Sequence, residues 1–142
     1  MKKSFVVLII LVLIFIGCGG KDKVKPSADS ILTTESLNSI NIIKTAYQER
    51  DGSILQSRLD PVLAKDILKE LTFEKAELSF TPRRVRINNS TVMVNLNWQG
   101  TWVIKDNSIR NRGVTVFVFE GSPMKLMRID GDNPFHTPLT EK

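Results

Sequence analysis

The stretch RVRINNSTVMVNLNWQGTWVI, residues 84–104, decides the fold. Val85 and Ile87 alternate with Arg84 and Arg86, and the polar trio Asn88-Asn89-Ser90 interrupts them. Val92, Val94, Leu96, Trp98, Trp102 and Ile104 then share one parity. A period of two marks a half-buried β-strand. A turn at 88–90 that pairs Ile87 with Val92 and Val85 with Val94 keeps every apolar side chain on one face. A second turn at Gln99-Gly100 would carry Trp102 and Ile104 to the face of Asn95 and Asn97 and split the apolar set. One strand from Val92 to Ile104, bent or bulged at Gly100, keeps the set whole.

Downstream, Lys105-Asp106-Asn107-Ser108 reads as a turn. Val114 to Phe119 is apolar on both faces, which predicts a central strand in a sheet covered on both sides. Gly121-Ser122-Pro123 turns the chain into a last strand over Met124 to Ile129. Gly131 to Phe135 folds over the end, and 136–142 is a frayed tail. Upstream, Ala76, Leu78 and Phe80 alternate until Thr81-Pro82 breaks the run.

Before Thr72 the period is helical. Leu37, Ile40, Ile43 and Tyr47, widened by Ile42 and Ala46, predict an amphipathic helix over Glu35 to Arg50. Gly52 suits a left-handed stop, and Ile54, Leu55 and Leu59 resume the helix. Asp60-Pro61 supplies a cap and a preset first position for a third helix, Pro61 to Leu71, with Val62, Leu63, Ile67 and Leu68 inward. The expected fold class is α+β: N-terminal helices packed on a curved antiparallel sheet.

That order, together with Ala46-Tyr47-Gln48-Glu49-Arg50-Asp51-Gly52 followed by Leu55 and Leu59, resembles the nuclear transport factor 2-like fold, a relative of the cystatin-like architecture. The likeness runs from about Glu35 to Ile129. It implies a pocket between helices and sheet, dimerisation through the sheet, and functions from isomerase and dehydratase to noncatalytic binding. It carries no catalytic residue over to this chain.

The N-terminus reads as an address. Lys2 and Lys3 precede FVVLIILVLIFIGC, residues 5–18, an apolar run closing on Gly17-Cys18. A positive start and a short apolar run make a cleavable secretory signal, and the run is short of the roughly 20 residues that a membrane span needs. Phe15-Ile16-Gly17-Cys18 resembles the lipobox of bacterial lipoproteins, which implies cleavage before Cys18 and acylation of that cysteine, with palmitate among the chains. An uncleaved N-terminal anchor is the alternative. The expected layout is a signal peptide at 1–17, lipidated Cys18 with a flexible tether through 34, one domain at 35–135 and a tail at 136–142. The body then stands outside the cytoplasm on the cell envelope, and Lys21, Lys23 and Lys25 lie beside the acylated end. Two of the chain's five net positive charges belong to Lys2 and Lys3, so the body is only mildly basic and its charge names no partner.

Chemistry is sparse. Cys18 is the one cysteine, which excludes an internal disulfide and a His/Cys metal cluster, and His136, the one histidine, falls in the expected tail, so no His-assisted nucleophile, cofactor or metal is expected. A carboxylate pair drawn from Asp51, Asp60 and Asp66 is the enzymatic alternative, although capping, a turn and a helix surface explain each of the three. Glu74 and Glu77 read as a solvated edge, and Asp130-Gly131-Asp132-Asn133 as a turn more than a calcium loop. Arg83, Arg84 and Arg86, with Arg110 and Arg112 expected near them across the sheet, form the strongest charge feature. The secreted address speaks against nucleic acid. Trp98 and Trp102 read either as core or as a contact surface. The candidate ligand or partner face is therefore Trp98, Trp102, Tyr47, Arg83, Arg84 and Arg86. The expected function is noncatalytic binding of an envelope protein or small ligand, with a homodimer among the expected assemblies. The alternative is a small cone-fold isomerase or hydrolase using carboxylates in its pocket.

Overall fold

The period-two stretch forms a hairpin of two long strands. In the computed structural model, which describes residues 25–138, β1 (Lys75–Asn88) and β2 (Thr91–Ile104) pair antiparallel with Ile87 opposite Val92 and Val85 opposite Val94. β3 (Asn107–Glu120) and β4 (Lys125–Gly131) follow as antiparallel neighbours, giving the order β1-β2-β3-β4. Residues 1–17, Cys18 and the first part of the expected tether lie outside the described residues, as do 139–142.

β2 runs through Gln99-Gly100 without a register slip toward either neighbour, so Gly100 is not the expected bulge. Its missing side chain serves packing. A Cβ there would stand 2.3 Å from the Trp102 ring and 2.7 Å from Leu78 Cδ2. The slips lie elsewhere, between Pro82 and Arg84 and between Val118 and Phe119. Thr81-Pro82 does not end a strand, because β1 is an edge strand that tolerates a proline, and the extra residue Arg83 shifts the alternation by one. Ala76 and Leu78 face the helices before the bulge; Val85 and Ile87 do so after it.

α1 (Ala28–Glu49) starts seven residues before the expected Glu35. The Ser27 hydroxyl accepts from Ser30 N–H and caps it, and Leu32 packs against the core, so residues 28–34 are helix and not tether. Its far end also differs from expectation. Arg50, not Gly52, takes the left-handed conformation (φ 57°), with Asp51 N–H donating to Ala46 O at 2.8 Å. Gly52 opens α2 (Gly52–Arg58), and Asp60 caps α3 (Pro61–Lys69), whose Pro61 sits in the first turn as expected. In α3, Ala64 and Ile67 face inward while Val62 is 70% exposed, so Val62 does not belong to the core. Leu59, between α2 and α3, makes a single parallel bridge to Leu126 and adds one residue of a fifth strand.

The helices lie on one face only: α1 packs on β1 and β2, α2 on β4. The expectation of a sheet covered on both sides is thus corrected, since no described helix packs on the other face and Val114 there is 59% exposed. No helix among the described residues is long and apolar enough to cross a membrane.

Candidate functional site

Between the helices and the sheet, aromatic rings fill the interior. Tyr47 of α1 reaches Trp102 of β2, whose Nε1–H donates to the Tyr47 hydroxyl at 3.0 Å. Trp98 meets Trp102 edge-on at 6.3 Å and donates its Nε1–H to Asp132 O. The C-terminal segment enters the same space. Phe135 is fully buried, stacks on Phe117 at 5.8 Å and lies 5.1 Å from the Tyr47 ring, while the Thr137 hydroxyl donates to Glu70 O and Thr137 N–H to Glu70 Oε2. Residues 136–138 are therefore bound, with Thr137 buried, where a frayed tail was expected. Burial pushes the Tyr47 hydroxyl above its ordinary pKa, and its hydrogen bonds with Thr137 and Trp102 work against that rise. Tyr47 and Trp102 are 0% exposed and Trp98 is 5%. These three candidates belong to the core and offer no accessible face.

The acidic candidates stand apart. Asp51 Oδ1 accepts from Ile54 N–H and Asp60 Oδ2 from Val62 N–H, both as helix caps, and Asp66 pairs with Lys69 on the surface of α3. Asp130 holds Arg128 through both oxygens, which keeps its carboxyl below the ordinary range, while Asp132 Oδ2 accepts from Val114 N–H and Asn133 Oδ1 from Phe135 N–H. Among the described residues no cluster of three His, Cys, Asp or Glu side chains is placed to hold a metal ion.

The arginines all lie on the uncovered face or its edge, but the register divides them. Arg84 stands opposite Asn95 and Arg86 opposite Met93, toward the β1–β2 turn. Arg112 pairs with Gln99 and Arg110 with Thr101, toward the β2–β3 turn. Arg84 and Arg86 are therefore not neighbours of Arg110 and Arg112. Arg83, the bulge residue, belongs with the second group. With the Asn97 amide oxygen turned toward it, that oxygen accepts from Arg83 Nη2 and Nε at 3.1 and 3.2 Å.

Two adjoining depressions of about 760 and 480 Å³ share Ser79, Gln99 and Arg112; Arg110 lines the first and Arg83 and Asn97 the second. Of the carboxylates lining them, Glu77 is bonded to Lys75 at 2.6 Å, which lowers its pKa, and Asp132 accepts from the backbone. The arginine charge thus dominates a groove floored by amides and hydroxyls. Gln99, Asn97 and Ser79 were missed in the sequence. The signal for Asn97 and Gln99 is the odd parity of β2, where Asn95, Asn97, Gln99 and Thr101 form a polar row, and Ser79 lies opposite Gln99 on β1.

No protein-family model matches the chain, and no curated protein matches it. Among solved structures, a nuclear transport factor 2 (NTF2-like) superfamily protein from Salmonella enterica serovar Typhimurium superposes with a TM-score of 0.63 over 81% of this chain and 99% of its own, at 15% identity. The fold is nuclear transport factor 2-like. An LEH-like epoxide hydrolase from M. tuberculosis (TM-score 0.47, 14% identity, 70% of this chain and 79% of that one) and TsrD from Streptomyces laurentii (0.46, 16%, 68% and 89%) are more distant and bear on nothing further. Within this nuclear transport factor 2-like frame, Tyr47, Phe80, Phe117 and Phe135 fill the space between helices and sheet, and the groove with Arg83, Arg110 and Arg112 lies on the other side of the sheet.

Proposed function

We propose that the chain is a lipid-anchored envelope protein whose body acts by binding, presenting the uncovered face of the sheet to an acidic region of a protein partner. The observation that carries this reading is the groove shared by Ser79, Gln99 and Arg112, with Arg83 and Arg110 on its walls, on a face that no described helix covers. Guanidinium groups engage carboxylates through paired, directional donors, and amides and hydroxyls supply the remaining polar contacts. Anchoring rests on Lys2, Lys3, the apolar run and Gly17-Cys18.

Two measurements test the reading. Mass spectrometry of the mature N-terminus is expected to find acylated Cys18, and Cys18→Ser to leave the chain uncleaved or soluble. Arg83→Glu with Arg112→Glu is expected to abolish salt-sensitive partner recovery from native membranes while leaving the melting transition in place. Recovery that survives this reversal, together with an enzymatic turnover lost in Asp51→Asn or Asp60→Asn, would replace binding with the carboxylate enzyme.

A further inference from the structure

Which end of the body meets the membrane follows from where α1 begins. Helix from Ala28 onward leaves eight residues between Cys18 and the Ser27 cap, and the nine peptide units that join them reach at most about 30 Å whatever their conformation. The start of α1 lies at one end of the sheet. Glu35 Oε1 accepts from Met124 N–H, which sets the first turns of α1 beside the β3–β4 turn. The Thr91 hydroxyl donates to Glu120, so the β1–β2 turn is at the same end, and Asp60 N–H donates to Leu126 O, which brings the start of α3 there too.

This end carries three of the large apolar residues exposed among the described ones: Ile31 (54%), Val62 (70%) and Met127 (37%). Arg84 and Arg86, on the open face of β1, and Lys125, at the start of β4, lie toward the same end, and none has an ion pair among the described residues. The carboxylates here keep their charge but have local partners: Glu35, Asp60 and Glu120 accept the hydrogen bonds already described, Asp130 pairs with Arg128, and Asp29 lies in the first turn of α1, where it complements the helix dipole. Exposed apolar side chains and cations without ion pairs, at the end from which the chain departs toward Cys18, match the chemistry of an interface between anionic headgroups and acyl chains.

We propose that this end of the body rests on an anionic lipid surface, with Ile31, Val62 and Met127 entering the interface and Arg84, Arg86 and Lys125 meeting headgroup phosphates. The proposal rests on the lipid anchor at Cys18. It gives the two arginine groups different work, since the groove with Arg110 and Arg112 lies toward the β2–β3 turn and faces away from the membrane.

The experiment uses the full chain expressed, processed and reconstituted into vesicles of phosphatidylcholine and phosphatidylglycerol carrying a headgroup quencher. Fluorophores are attached at Ser90→Cys, beside the β1–β2 turn, or at Ser108→Cys, beside the β2–β3 turn. These sites are separated by the length of β2, about 40 Å for 14 residues. The expected result is quenching at position 90 and its loss at position 108. Arg84→Gln with Arg86→Gln, or Val62→Glu with Met127→Glu, is expected to equalise the two probes, as is omission of phosphatidylglycerol. Acylated Cys18 with equal or reversed quenching in the unaltered body overturns the docking and leaves the anchor standing. Unmodified Cys18 in the same membranes overturns the anchor and the docking with it.

Discussion

Trp102 owes its seat to the residue two positions before it. The ring lies over the backbone of Gly100 within van der Waals distance of any side chain placed there, so Gly100→Ala forces either Trp102 or Leu78 to move. Overpacking of this kind costs about 1–3 kcal/mol. Chemical denaturation is expected to show that loss, and an unchanged midpoint would mean that the ring is not held as described. Tyr47 is the second fixed point, because its hydroxyl accepts from Trp102 and meets Thr137 within the core. Tyr47→Phe leaves the Trp102 N–H without an acceptor, at a cost of about 1–3 kcal/mol. The pH dependence has a definite sign. Burial raises the pKa of Tyr47 in the folded state, so below the unfolded value of about 10 the tyrosine is neutral in both states and contributes no slope; above it, deprotonation of the unfolded chain draws stability away. Titration of the unfolding free energy between neutral and strongly alkaline pH is expected to show a decline in the unaltered protein that is smaller in Tyr47→Phe. Equal declines would assign the loss to other groups.

At the level of elements, the last described segment is as much a part of the core as the strands. Phe135 fills the space between Tyr47, Phe80 and Phe117, and Phe135→Ala is expected to cost about 3–5 kcal/mol, the range for deleting a buried aromatic ring. Calorimetry decides this; a loss below about 1 kcal/mol would mark the segment as an accessory strap. The sequence carried no sign of this packing, because Phe135 and Thr137 find Tyr47 and Glu70 across most of the domain and no local period records such a contact. The strands were legible for the opposite reason. Alternation is a local property, and the pairing of Val85 with Val94 followed from it, as did the unbroken run of β2 through Gly100. Where a bulge resets the phase, as at Arg83, the same alternation looked like an end to the strand. The start of α1 was hidden because Ala28 to Thr34 contributes little to the apolar stripe, and the cap at Ser27 looks like any serine in a polar stretch. Asp60-Pro61 was legible since both residues serve their roles without reference to the rest of the fold. The site was the least legible part. Trp98, Trp102 and Tyr47 looked as suited to contact as to core, and the five arginines fell into two groups only once the register was known.

The whole molecule has two unlike sides and two unlike ends. One side of the sheet is closed by α1, α2 and the Phe135 segment; the other is open and carries the arginine groove. The end with Ile31, Val62 and Met127 leads toward Cys18, while the groove lies toward the opposite turn. If the groove is where the body meets its partner, surface substitutions there leave stability within about 0.5 kcal/mol and change only recovery. Gln99 lies at the centre of the groove and is exposed, so it reports on that surface directly. The most direct measurement is crosslinking in intact cells from a photoreactive residue at position 99. A discrete protein adduct that disappears with Arg112→Glu is expected; an adduct that persists unchanged in Arg112→Glu, or none at position 99 when positions on α1 and α3 give one, would contradict binding at the groove.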